Sequence, residues 1–142
     1  MRLALKYPAR ADNAADHAAL AVRLARQEFD LDLDYSVASL DRLDGQIESL
    51  REEGLSAEDA AEALFAMGCY LGEVMVRGLR GRWTATARSS LAQISPWPMV
   101  VLLPGGSTWD PIGKVYQRFE VGDSEYLPSF VLAAAQASGQ RG

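Results

Sequence analysis

Residues 61–83 read AEALFAMGCYLGEVMVRGLRGRW, and no charge falls between Glu62 and Glu73. A helix that is apolar on every side belongs in the middle of a domain. A helix over about residues 57–78 is therefore expected to be the central element. Its start is marked by Ser56, which has Asp59 three residues on, the spacing of a capping box. After Gly81 the pattern changes. RWTATA (82–87) alternates, PMVVLL (98–103) is a buried-strand run, PGG (104–106) is a turn and STW (107–109) follows it. This predicts a small antiparallel sheet of two to three strands.

The segments on either side read as helices. A first helix starts after Asp12 and runs to about Glu28, with Ala15, Ala18, Val22, Ala25 and Phe29 at helical spacing and Leu20 and Leu24 widening the face. A second is capped by Asp34 or Ser36, carries Val37, Leu40, Leu43, Ile47 and Leu50, and stops at Gly54. Beyond the sheet, residues 110–122 form a helix with Asp110 as cap and Pro111 in its first turn. Residues 128–137 form a last helix, docked through Phe130 and Val131. Helices, then a sheet, then helices define an α+β fold: three N-terminal helices, a small antiparallel sheet, and one or two C-terminal helices. The chain reads as one domain over 1–142, with loose ends at about 1–11 and 138–142. LALKY (3–7) alternates weakly, as a short strand or a loose terminus.

Composition narrows the classes of function. A chain of 142 residues can bury a self-sufficient core. Its net charge of −5 argues against nucleic acid and anionic membrane as whole-surface partners, and leaves a basic protein as a suitable one. One cysteine excludes an internal disulfide and any multi-thiolate zinc site. The first ten residues are too polar for a secretory leader, so the cytoplasm is the default location. Charge is uneven. Asp30 to Glu62 holds eleven acids and two arginines, whereas Glu73 to Arg88 holds one acid and four arginines.

Few residues point to chemistry. Asp30, Asp32 and Asp34 open like a calcium loop, but Tyr35 and Asp41 stand where that loop needs Gly and Glu. DPIGKV (110–115) lacks the glycine and hydroxyl of a phosphate loop. Cys69 needs a base, and the single histidine, His17, reads as solvated on another helix; Cys69 reads as a small buried hydrophobe. No metal or cofactor is expected. Gly68 and Gly72 share a helical face and each costs about 1 kcal/mol against Ala. Close approach of another backbone, or of a bulky ring such as Trp83 or Trp97, would offset that, and a ligand is the alternative. Glu73 must find Arg77, Arg80, Arg82 or Arg118 if buried. It is either a strut between helix and sheet or part of a site. Lys114 and Arg118 repeat the i, i+4 spacing as a positive stripe, partly neutralised by Glu120 and Asp123. Trp83, Trp97 and Trp109 fall in the sheet region as core or rim.

The order of motifs in FDLDLDYSVASLDRLDGQIESLREEG (29–54), GCYLGEVMVR (68–77), GRW (81–83) and PIGKVYQRFEVGDS (111–124) resembles small bacterial α+β domains grouped as families of unknown function. Their pattern is LDYS-x-x-SL, then G-x-YLGE-V, a strand with Trp, and R-x-E-x-G-x-x-D-S. The likeness covers about residues 15–130. It implies a bacterial cytoplasmic domain and no activity, and it draws interest to Asp34, Ser36, Asp44, Tyr70, Gly72, Glu73, Arg118 and Ser124.

The expected function is a non-enzymatic, protein-binding module of immunity, antitoxin-like or accessory type. Its partner is another protein or a second copy of itself, with no nucleic acid and no membrane. The alternative is a small-molecule binder or hydrolase, with Glu73 as acid or base and Arg77 or Arg118 holding an anion. The candidate polar cluster is Tyr70, Glu73, Arg77, Arg82, Trp97, Lys114 and Arg118.

Overall fold

In the computed structural model, which describes residues 8–140, five helices accompany a three-stranded antiparallel sheet. The order is α1 (Ala14–Phe29), α2 (Ser39–Glu52), α3 (Ala61–Leu79), β1 (Arg82–Ala85), β2 (Met99–Leu102), β3 (Thr108–Trp109), α4 (Pro111–Val121) and α5 (Leu127–Ala137). The fold is α+β with three N-terminal helices, the sheet, and two C-terminal helices. Strand order follows the chain, with Trp83 opposite Val101 and Val101 opposite Trp109. The alternating stretch 3–7 lies outside the described residues.

The uncharged run makes α3 the centre. Every residue from Leu64 to Met75 is buried, and α1 and α4 pack along the helix. Both glycines are contact points. A Cβ on Gly68 would lie 2.6 Å from the Ile112 Cα, and one on Gly72 would overlap the Trp83 ring. α4 therefore crosses α3 nearly backbone to backbone at Gly68, and of the two rings offered as neighbours it is Trp83, not Trp97, that lies on Gly72.

α1 meets α3 through Ala14, Ala18, Ala21 and Ala25, all buried. This face is rotated from the expected one: Ala15 is exposed, and Phe29 is 40% exposed. Small side chains let α1 lie close to a crowded partner, and the larger Leu24 and Phe29 are left outside.

Two helix starts differ in detail from the sequence reading, and a third agrees with it. α2 begins at Ser39, whose N–H donates to Ser36 Oγ at 3.1 Å, while Asp34 Oδ1 accepts from the Ser36 N–H at 3.1 Å. The N-cap position itself is Ala38, without a side-chain cap; Ser36 reaches the first helical N–H, Asp34 orders only the turn before it, and Val37 stays exposed outside the helix. α3 begins at Ala61, because residues 57–60 form a separate turn in which the Asp59 N–H donates to Ser56 Oγ at 3.1 Å. α4 starts as expected, with the Gly113 N–H donating to Asp110 Oδ1 at 2.9 Å. At the other end of α2, Gly54 takes φ +77°, the left-handed turn that ends a helix without steric cost.

α2 packs on α4 and α5 and only lightly on α3, and it makes few contacts with α1. The two helices stand side by side on different supports. Among the described residues, no helix is long and apolar enough to cross a membrane.

Candidate functional site

Glu73 is 6% exposed at the sheet end of α3. A buried carboxylate requires partners, and it has two. The Trp83 indole N–H donates to its Oε2 at 2.9 Å, and Arg77 Nε lies 3.5 Å from its Oε1. The Arg77 guanidinium, half exposed, sits 3.5 Å from the centre of the Tyr35 ring. Tyr35 in turn stacks on Tyr70 at 4.9 Å. The Tyr70 hydroxyl accepts the Tyr35 N–H at 2.8 Å and shares a 2.5 Å hydrogen bond with Ser39. Tyr35 holds φ +66°, which is uncommon for a bulky residue, and the hydrogen bond and the two ring contacts fix it there.

This network joins the LDYS segment to the G-x-YLGE segment. Both Glu73 oxygens are engaged. Burial pushes the Tyr70 and Tyr35 hydroxyls above their ordinary range. Burial, with Glu73 adding to it, pushes the Cys69 thiol far up, so it stays protonated at neutral pH.

Arg118 does not belong to this network. It is 2% exposed. Its Nε donates to Asp44 Oδ1 at 3.0 Å and its Nη1 to Glu48 Oε1 at 2.9 Å. Asp44 Oδ1 also accepts the Leu127 N–H at 3.0 Å, so one carboxylate ties α2 to α4 and to the first residue of α5. Arg51 adds hydrogen bonds to Glu48 at 3.1 Å and to the Phe119 carbonyl at 2.7 Å. The hydrogen bond from Arg118, helped by Arg51, holds the Glu48 carboxyl below its ordinary range. The expected positive stripe is therefore not formed. Arg118 turns inward to α2, and Lys114 pairs with Glu125 at 3.2 Å.

The other candidates lie apart. Arg82 is exposed on β1 opposite Leu102. Trp97 lies in the loop before β2, packed on Tyr116 at 4.6 Å and on Phe65 at 6.1 Å. Of the seven proposed residues, Tyr70, Glu73 and Arg77 come together, bridged by Tyr35, which the sequence reading passed over. Ser124 is exposed in the turn after α4.

His17 also departs from expectation. It is 1% exposed, with Nε2 3.0 Å from the Pro8 carbonyl oxygen and its ring edge-on to Phe65. Position 17 lies three residues from Ala14 and four from Ala21, on the buried side of α1, so the rotation of that face carries it inward.

Two concavities flank α2. An open one of about 490 Å³ lies between α2 and α4, lined by Glu48, Arg51, Glu52, Leu55, Phe119 and Glu120. A narrower, apolar furrow of about 230 Å³ lies between α1 and α2 and includes Leu24, Phe29, Leu50 and Met67. Gln46 also lines it, 5% exposed. The sequence reading missed it, although its spacing from Leu43 and Leu50 is the signal that puts it on the buried face of α2.

Compared with known protein families, curated proteins and solved structures, the chain matches none. The resemblance to bacterial domains rests on the order of its motifs alone.

Proposed function

We propose that this chain is a protein-binding module of the bacterial cytoplasm, of immunity, antitoxin-like or accessory type, and that it binds through the acidic side of α2. The observation that carries this reading is the open concavity beside Leu55, where Glu48, Glu52 and Glu120 surround one arginine. Glu52 and Glu120 are exposed, as are Glu53, Glu58, Asp59 and Glu62 nearby in the chain. A partner with basic side chains around one apolar residue complements that surface.

The charged groups suited to catalysis support the same reading. A hydrolase built on Glu73 needs an accessible carboxylate, whereas this one is 6% exposed, hydrogen-bonded to Trp83 and paired with Arg77. Arg118, the anion-holding group of that alternative, is buried against Asp44 and Glu48.

The test is capture from a bacterial extract by the immobilised chain, beside a Glu52→Lys/Glu120→Lys variant, with reconstitution from the purified partner. A partner, or a second copy, that binds the chain and is lost with the variant fits the proposal. Equal binding by both, or no partner at all, sinks it.

A further inference from the structure

We infer that the furrow between α1 and α2 is a binding site for a small, uncharged aromatic molecule of one or two rings bearing a single hydrogen-bonding group. This rests on a different surface and a different observation from the protein-binding reading, and neither depends on the other.

The furrow exists because α1 and α2 are held by different neighbours, leaving α3 as the floor between them. Its walls are apolar: Leu24 and Phe29 from α1, Leu50 from α2, and Met67 from α3. Leu24 and Phe29 are among the exposed large hydrophobic residues of the molecule, and both stand on this furrow. Into this apolar lining the fold brings one carboxamide. Gln46 is 95% buried, its exposure being 5%, and its Oε1 is shut off from solvent with no hydrogen-bond partner among the described residues. A buried amide left unpaired is costly, and native proteins rarely keep one without a use. That oxygen is turned away from solvent, and the terminal torsion of Gln is soft and two-fold, so a half-turn of the amide would present the oxygen to a ligand in the furrow.

Volume, lining and charge fix the class of ligand. An apolar cavity of about 150 Å³ holds benzene, so about 230 Å³ suits one or two rings. Phe29 and the Met67 sulfur favour an aromatic face or edge over an alkyl chain. Glu28 stands on the rim and no Lys or Arg lines the furrow, which disfavours carboxylates such as fatty acids. One amide matches one polar group.

The test uses the full chain and two probes of equal shape, indole and indene, which differ in the N–H. Titrations followed by NMR are expected to give saturable binding of indole about five- to tenfold tighter than indene, the worth of one added hydrogen bond. Shifts should centre on Leu24, Leu50 and Met67. Gln46→Leu should abolish the preference while still binding indene, and Ala63→Leu, which fills the furrow, should abolish binding of both. Equal affinities in the unaltered chain, a preference that survives Gln46→Leu, undiminished binding in Ala63→Leu, or no saturable binding would each overturn the site.

Discussion

Trp83 donates its indole N–H to the buried carboxylate of Glu73 and lays its ring over Gly72, one residue earlier on the same helix. The two contacts depend on each other. Without a Cβ at position 72 the ring can lie flat enough for the nitrogen to reach the carboxylate, and the carboxylate fixes the ring over the gap.

Trp83→Phe keeps much of the ring and removes the donor. Glu73 is then left with the longer, half-exposed contact to Arg77. The loss should be about 1.5–3 kcal/mol, typical of a hydrogen bond to a charged group. Gly72→Leu attacks the same place by overlap and should cost several kcal/mol, at or beyond the upper end of the ~1–3 kcal/mol usual for overpacking. Urea unfolding of both variants checks the pair, and an unchanged midpoint in Gly72→Leu would contradict the contact.

Arg118→Met strands Asp44 among α2, α4 and α5. Removing one partner of a buried pair typically costs about 3–5 kcal/mol, whereas replacing both with apolar residues is often close to neutral. The double variant Arg118→Met/Asp44→Leu should therefore recover much of the loss, less what the Leu127 N–H forfeits. Recovery is read from the same unfolding curves, and a double variant no better than the single one would refute it.

Acid should loosen this joint through Glu48. Its folded carboxyl titrates below the ordinary 4.5, through the hydrogen bond from Arg118 and the proximity of Arg51. Because the unfolded chain then binds the proton more readily, the contribution is fully present above the unfolded value. It is lost as pH falls through the lower, folded one. Stability measured from pH 7 down to about pH 3 should fall less in Glu48→Gln than in the unaltered chain.

Cys69 should resist alkylation at neutral pH. Its thiol is buried and pushed upward, so both access and thiolate are lacking. Reaction with iodoacetamide should track unfolding in urea, and fast modification of the folded chain would show that α3 opens at that point.

Gln46→Leu should stabilise the protein in the absence of any ligand, by roughly 1–3 kcal/mol, because it removes a buried, unpaired amide. A higher melting temperature is the expected reading, and a lower one would mean that the amide has a partner.

Helical and strand periods could be read in the chain, and so could the stop at Gly54 and the place of α3, because each depends on neighbours in sequence. That neighbours press close on Gly68 and Gly72 was also legible, but not which: the backbone of Ile112 covers the first and the Trp83 ring the second. What could not be read was which way charged groups turn. Lys114 and Arg118 have the same spacing and charge, yet one pairs at the rim with Glu125 and the other is buried against Asp44, a choice made by the packing of α2 on α4. The rotation of α1 was hidden for a related reason. Alanine gives almost no periodic signal, so Phe29 and Val22 pulled the expected face away from Ala14 and Ala21, and His17 with it. Gln46 drew no attention because an uncharged amide on an apolar face is inconspicuous, and Tyr35 was weighed only as a misfit in a calcium loop because its stacking on Tyr70 spans 35 residues of chain.

The alanine face has a consequence for motion. Each of its side chains withdraws only a methyl group from water, worth about 0.8 kcal/mol, so α1 is fastened closely but weakly to α3. Segments that bury little are the first to open in native-state fluctuations. Amide exchange should be fastest, among the N-terminal helices, along α1. The wall of the furrow that bears Leu24 and Phe29 thus stands on a helix held by methyl-sized contacts, apart from the ion-paired joint between α2 and α4.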